Sequence, residues 1–496
     1  MARAARRSHT TPATGLPRPW CLAAACAGAL LILPEPAAGA RADDPPAAAT
    51  AADVAGRWHT RWQAPLDTDV AAPITTGIGG GLVVWNTGRA IHAVRLADGL
   101  HPWRDAPTPA DSLVFPRGSQ ARTRSENHAR HDRSAGPAPS VSCVAARAIA
   151  VIEGTMATDG TADRTGSDAL LVCLDLSPAA EGRLAWASPP PPIMLDDDEP
   201  RSSSFDGPAV ADHEVACMVV RSLSPSDWLS LAIFDPRDGR LIWSRPLGPA
   251  VGADGVDHAR SARQACLAED RIVVATHAGT VAAFSRDGQV AWQTNVAMDG
   301  GAAKPAAAAP AAAPPVFAGG RIFVAPRDRG GVVALDPQSG RILWDRAALG
   351  ATTILGATQR HVIVATAVPL IGPATTGLAR WAVMALAGDD GREEFRYDGG
   401  RDTLAPAGCG TVADGRVYWP ATTADGKTAI HVLDADTLAI IPAARLAVPA
   451  DRLAPGAGVG LAAAGPAALV LAGSRMLFCE ERAAPTATPG PTGRAR

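Results

Sequence analysis

The chain has 496 residues and a formal net charge of −3, and charged side chains make up 19% of it. That balance gives neither the basic footprint of a nucleic-acid binder nor attraction to an anionic membrane surface, so both classes are set aside. Lysine is confined to Lys304 and Lys427, and arginine carries the remaining positive charge.

At the N-terminus, Arg3, Arg6, Arg7 and Arg18 precede an apolar run from Trp20 to Leu33. The run is short for a bilayer span. Small-x-small cleavage sites follow at Ala38-Gly39-Ala40 and Ala40-Arg41-Ala42. Residues 1–42 therefore read as a signal peptide, which directs the mature chain to the periplasm or cell envelope. Cys26 follows Leu22-Ala23-Ala24-Ala25, with Ala where a lipobox has Leu, so a lipid anchor is not expected. No other segment is a membrane-span candidate. Six cysteines remain after the signal, all within apolar runs and with no C-x-x-C pair. They read as small buried hydrophobes.

Gly56-Arg57-Trp58-His59-Thr60-Arg61-Trp62 is a lone strand-like segment, and beyond it the sequence repeats. The clearest copy is Ala334-Leu335-Asp336, three residues, Gly340, three residues, Trp344. Ile233 to Trp243 repeats it with Asp235, Gly239 and Trp243. Ala93, Gly99 and Trp103 keep the pattern with Arg95 in the Asp place, and Ala283, Gly288 and Trp292 keep it with a shorter turn. Asp175, Gly182 and Trp186 keep it with a longer turn, and Ala385, Gly391 and Phe395 end it in Phe. From Trp186 onward the copies recur about every 50 residues, the period of an array of supersecondary units.

Each unit reads as four short apolar runs divided by turns, hence a four-stranded antiparallel meander. Such a sheet is apolar on both faces and must stack on neighbours, which a propeller achieves radially. The runs group at 73–104, 140–188, 205–247, 263–296, 314–348, 352–398 and 404–448. In the last of these, Ile440 and Ile441 replace the aromatic. Residues 458–480 supply three more strands, and the segment 56–62 supplies the fourth. The expected fold is all-β, an eight-bladed propeller of four-stranded blades closed by pairing of the N- and C-terminal strands, with seven blades as the alternative. The propeller spans 43–482, with insertions at 105–139 and 189–204, a linker at 301–315 and a disordered tail at 483–496.

These residues resemble the repeat of the quinoprotein (PQQ-like) family of β-propellers. The resemblance implies that the Trp of one blade packs on the Ala and the Gly peptide of a neighbour. Ala93, Gly99, Trp103, Asp175, Gly182, Trp186, Asp235, Gly239, Trp243, Ala283, Gly288, Trp292, Ala334, Asp336, Gly340, Trp344, Ala385, Gly391 and Phe395 are thus expected to be structural blade-docking residues. In the family's enzymes the resemblance implies PQQ with a calcium ion held by Glu, Asn and Asp, together with an Asp base and a Trp floor, and in many members two adjacent cysteines. Here no Cys-Cys pair or C-x-x-C-H occurs, and the only asparagines are Asn86, Asn127 and Asn295. PQQ and calcium are therefore not expected, nor are catalytic or metal residues. The acidic run Asp196–Glu199 and the pair His128/His131 read as surface loop, and His277, His361 and His431 as polar blade residues near strand ends. The expected function is a monomeric, non-catalytic scaffold for protein or peptide partners. A PQQ-dependent dehydrogenase and an outer-membrane-barrel assembly propeller are the alternatives.

Overall fold

The computed structural model describes residues between 58 and 481. Residues 1–57, 66–75, 103–140, 154–168, 192–201, 250–264, 297–313, 370–378, 449–459 and 482–496, with some shorter turns, lie outside the description. Trp103, the signal peptide, the tail, His128, His131, Asp196–Glu199 and most of the expected insertions and linker fall among them.

The first strand, β1 (Trp58–Pro65), joins no strand near it in sequence, while blade 1 is built from β2 (Thr76–Gly79), β3 (Leu82–Asn86) and β4 (Ile91–Arg95). Blade 2 holds β5 (Val141–Val144), β6 (Arg147–Glu153), β7 (Ala169–Asp175) and β8 (Arg183–Ser188). Blade 3 holds β9 (Ser202–Ala211), β10 (Glu214–Ser222), β11 (Asp227–Phe234) and β12 (Leu241–Pro249). Blade 4 holds β13 (Ala265–Ala268), β14 (Arg271–Ala275), β15 (Thr280–Ser285) and β16 (Val290–Asn295). Blade 5 holds β17 (Val316–Ala318), β18 (Arg321–Val324), β19 (Gly331–Leu335) and β20 (Ile342–Ala347). Blade 6 holds β21 (Thr352–Ala357), β22 (His361–Pro369), β23 (Ala379–Ala387) and β24 (Glu393–Tyr397). In blade 7, β25 (Thr403–Pro406) and β26 (Thr411–Ala413) both pair with β27 (Arg416–Thr423), followed by β28 (Thr428–Asp434) and β29 (Leu446–Val448).

The last sheet joins the two ends of the chain. β30 (Gly460–Gly465), β31 (Ala468–Ala472) and β32 (Arg475–Glu481) are completed by β1, in the order β1-β32-β31-β30. The closing ladder is antiparallel, from Trp58 opposite Glu481 to Pro65 opposite Arg475. The innermost strands neighbour one another in a complete circuit, β2, β5, β9, β13, β17, β21, β26, β30 and back to β2. Seven of these sheets have four strands or more, and the β2–β4 sheet has three among the described residues. The expectation of eight four-stranded blades is corrected to that extent: the seven full blades match the alternative count. The outer strand that Trp103 was to supply lies outside the description. β9 also begins at Ser202, before the start at 205 that the apolar run suggested.

The local chemistry explains the meanders. The first hairpins of blades 5 and 7 turn on two residues of positive φ, Gly319 (56°) with Gly320 (69°), and Asp414 (49°) with Gly415 (71°). That is the turn whose twist matches the flanking strands. Side chains then alternate between the two faces of each blade. In blade 5, Ile322, Val333 and Leu335 pack with blade 4, whereas Phe323, Val332 and Ala334 pack with blade 6. The core is therefore a ring of thin apolar layers, one per seam. Among the described residues no helix is long and apolar enough to cross a membrane.

Candidate functional site at the blade seams

The repeat residues converge at the seams. The turn after the third strand is fixed first. The Asp336 carboxylate accepts hydrogen bonds from the Gln338 amide (3.1 Å) and from the Ser339 amide and hydroxyl (both 2.8 Å). Asp175 accepts from the Ser177 amide at 2.9 Å and Asp235 from the Arg237 amide at 2.8 Å. Such bonds favour the ionised form, so the Asp336 carboxyl is held below its ordinary value of 3.8, chiefly by the Ser339 hydroxyl and amide. Asp175 is lowered likewise, chiefly by the Ser177 amide. The Asp of the motif is thus turned onto its own loop.

The glycine that ends this turn receives the indole of the preceding blade. Gly340 has φ 69°, and any Cβ added there would collide with the Trp292 ring. Gly239 stands so against Trp186, and added Cβ atoms on Gly288 and Gly391 would come within 2.8 Å of Trp243 and 2.6 Å of Trp344. Each indole N–H then donates to a carbonyl in the turn it covers. Trp186 donates to Pro236 at 2.9 Å, Trp243 to Arg286 at 2.7 Å, Trp292 to Pro337 at 2.9 Å and Trp344 to Gly388 at 2.7 Å. The acceptor is the residue after the Asp position in each case. The motif Ala plays another part, standing opposite the aromatic of its own blade: Ala283 faces Trp292, Ala334 faces Trp344 and Ala385 faces Phe395. All three alanines are fully buried.

The sequence reading did not name three further sets of docking residues. The first is Trp62 in β1, which donates to the Leu96 carbonyl at 2.8 Å and lies against Gly99. It is the docking tryptophan of the closing blade. The second is a donor two residues beyond each indole that reaches the carbonyl of the docked glycine: Ser188 to Gly239 (2.5 Å), Arg245 to Gly288 (2.9 Å), Thr294 to Gly340 (2.6 Å) and Arg346 to Gly391 (2.8 Å). The third opens the second strand. Arg147 bonds the Pro236 carbonyl, Arg271 bonds Gln338 at 3.3 Å and Arg321 bonds Asp389.

The seam between blades 6 and 7 uses other residues at each of these places. Phe395 replaces the indole, and Leu438, with φ 51°, replaces the glycine; both lie in one apolar cluster. His361 stands where blades 2, 4, 5 and 7 have Arg, with Nε2 2.8 Å from Glu394 Oε2 and Nδ1 4.0 Å from Asp436 Oδ1. The Glu394 carboxyl is lowered, first by this bond and then by Arg392. Tyr397, in the place of the second donor, shares a 2.7 Å hydrogen bond with His431 Nδ1. Trp419 packs beside both rings. His361 and His431, expected as polar residues near strand ends, are buried here at 4% and 6% exposure, because the aromatic seam closes over them.

Asn86 is fully buried, with its amide given to the Val151 carbonyl at 2.6 Å. Among the described residues no three His, Cys, Asp or Glu side chains gather around a point that could hold a cation. Burial pushes the Cys143, Cys173 and Cys266 thiols up to about 12.

A closed ring of antiparallel sheets, most of them wedged to the next by an aromatic ring on a turn, defines a β-propeller. The chain is a β-propeller, and residues 150–327 match the family model described as outer membrane protein assembly factor BamB. Similar solved structures include the computationally designed Ika8 protein (12% identity, TM-score 0.48, covering 85% of this chain and 100% of that one). BamB from Moraxella catarrhalis is similar at 13% identity and TM-score 0.45, covering 85% of this chain and 99% of that one. Quinohemoprotein alcohol dehydrogenase from Comamonas testosteroni is similar at 12% identity and TM-score 0.48, covering 87% and 78%. Likeness at these values transfers no residue role. No curated protein sequence matches the chain.

Proposed function

We propose that the protein is an exported, non-catalytic scaffold that binds protein or peptide partners in the cell envelope. One observation carries this reading: the polar groups that the repeat gathers are committed to holding the ring together. The motif carboxylates cap their own turns, and the indoles, the second donors and the strand-opening arginines cross from blade to blade. A ring built in this way offers loop surfaces on a rigid support, the usual arrangement of a binding protein. The length of the connections supports a binding face. The turns between first and second strands are short in most blades (80–81, 145–146, 269–270, 319–320), whereas the long connections 154–168, 250–264 and 297–313 leave from the opposite strand ends.

Cross-linking in the envelope of the source cell, followed by purification at fixed stoichiometry, tests the reading. A defined protein partner that also binds the purified propeller is the expected result. Calcium-dependent reconstitution with PQQ into an alcohol- or sugar-oxidising enzyme would overturn it. The match over residues 150–327 favours a second reading, assistance to outer-membrane-barrel assembly. Under that reading, depleting the protein lowers the level of folded outer-membrane barrels; unchanged levels reject it.

A further inference from the structure

The seams are not equally locked, and blade 7 lies between two that lack an indole dock among the described residues. On its blade 6 side the aromatic is Phe395, only half-buried, against Leu438. On its other side, toward the sheet that β1 completes, the aromatic place four residues after Leu438 is Pro442 in the sequence. The blade is also divided at both edges. Its innermost strand is split into β25 and β26. Among the described residues its outer edge is the bridge Leu433 to Ile440, with the Ile441 N–H on the Val432 carbonyl at 3.1 Å, followed by β29, which pairs with Thr428, Ala429 and Ile430.

The Trp419 indole N–H and, across the seam, His361 Nδ1 are buried without a hydrogen-bond partner, as are the Trp85 indole N–H in blade 1 and Arg271 Nε in blade 4. Leu438 holds a left-handed backbone conformation that glycine adopts without cost in the other turns. Local opening is governed by how many such contacts a unit would surrender.

We propose that blade 7 is the sector at which the ring opens. β25 to β29 separate from blade 6 as a unit while blades 2 to 6 stay joined through Trp186, Trp243, Trp292 and Trp344. Opening uncovers Val417, Trp419 and Ala421 on one wall, and Ile363 and Ala365 on the other.

Hydrogen exchange of the full chain, read by mass spectrometry, tests this. Protection in β27 and β28 is expected to be about tenfold or more below that in β14, β15, β18 and β19, the behaviour of a sub-global opening. Protection within about twofold of those strands overturns the proposal. A second variant sharpens the test. Phe395→Trp with Leu438→Gly restores the indole-on-glycine pair and is expected to slow exchange in β27 and β28 toward the level of blade 5. A folded double variant with unchanged exchange also overturns it. Should that variant fail to fold, the comparison within the wild-type chain still decides.

Discussion

The seam between blades 4 and 5 and the seam between blades 6 and 7 solve one packing problem with opposite volumes. In the first, a large indole lies on a glycine whose missing Cβ makes room, and its N–H closes on Pro337. In the second, a smaller ring meets a larger residue, Leu438, and the indole hydrogen bond has no counterpart. Interiors are packed tightly enough that such exchanges must be paired. The docking motif is thus a conserved sum of volumes plus one hydrogen bond, and a seam keeps the volume more easily than the bond.

The largest effect is expected from deleting residues 43–64, which removes most of β1 and, with Trp62, the dock onto Gly99. The melting temperature should fall and the transition broaden; an unaltered melt would show that the ring does not depend on closure. Next, Trp344→Ala should cost about 3–5 kcal/mol, as large buried aromatics do. Phe395→Ala should cost less, about 1–3 kcal/mol, because that ring is half-buried. Equal costs from denaturant titration would erase the contrast between the seams. Gly340→Ala should cost about 2–4 kcal/mol, from a strained positive φ and a collision with Trp292. Leu438→Ala keeps the Cβ that the left-handed turn already carries and removes only the side chain packed in the seam with Phe395.

Smaller still is the response to acid. Carboxyls held below their ordinary values, Asp336 and Asp175 among them, contribute stability that is present above pH 3.8 and is lost as pH falls below it. Asp336→Asn should flatten that acid limb of the stability curve without moving the neutral plateau by more than about 1 kcal/mol. Smallest is thiol reactivity. Cys143, Cys173 and Cys266, raised to about 12 by burial, should resist alkylation at pH 8 in the folded protein and react on unfolding. Ready labelling of the native chain would contradict their packing.

The docking frame was legible because glycine and tryptophan at fixed spacing are chemically singular. Gly239, Gly340 and Gly391 each mark a backbone that a side chain would block. Trp62 escaped because its motif is divided: the third strand of its blade is β32, and the turn that would join them is replaced by the two chain ends. The second donors escaped because Ser188, Arg245, Thr294 and Arg346 share a function, not an identity. Leu438 carried no sign of a positive φ, since leucine does not favour one. His361 occupies a place that arginine fills elsewhere, and only the ladder aligns the two. Trp103, expected to dock onto blade 2, lies outside the described residues, although Gly182 holds the φ of 82° that the other docked glycines share.

The pairing of β1 with β32 sets an order of events. The strand made first on the ribosome is completed by the strand made last. Until residue 481 emerges, Trp62 has its glycine but its own sheet is missing, and the growing protein is an unfinished arc with two raw edges. Nothing shorter than nearly the whole chain can be a closed ring, so a nascent product cut short near its C-terminus is left with an orphan strand at its other end.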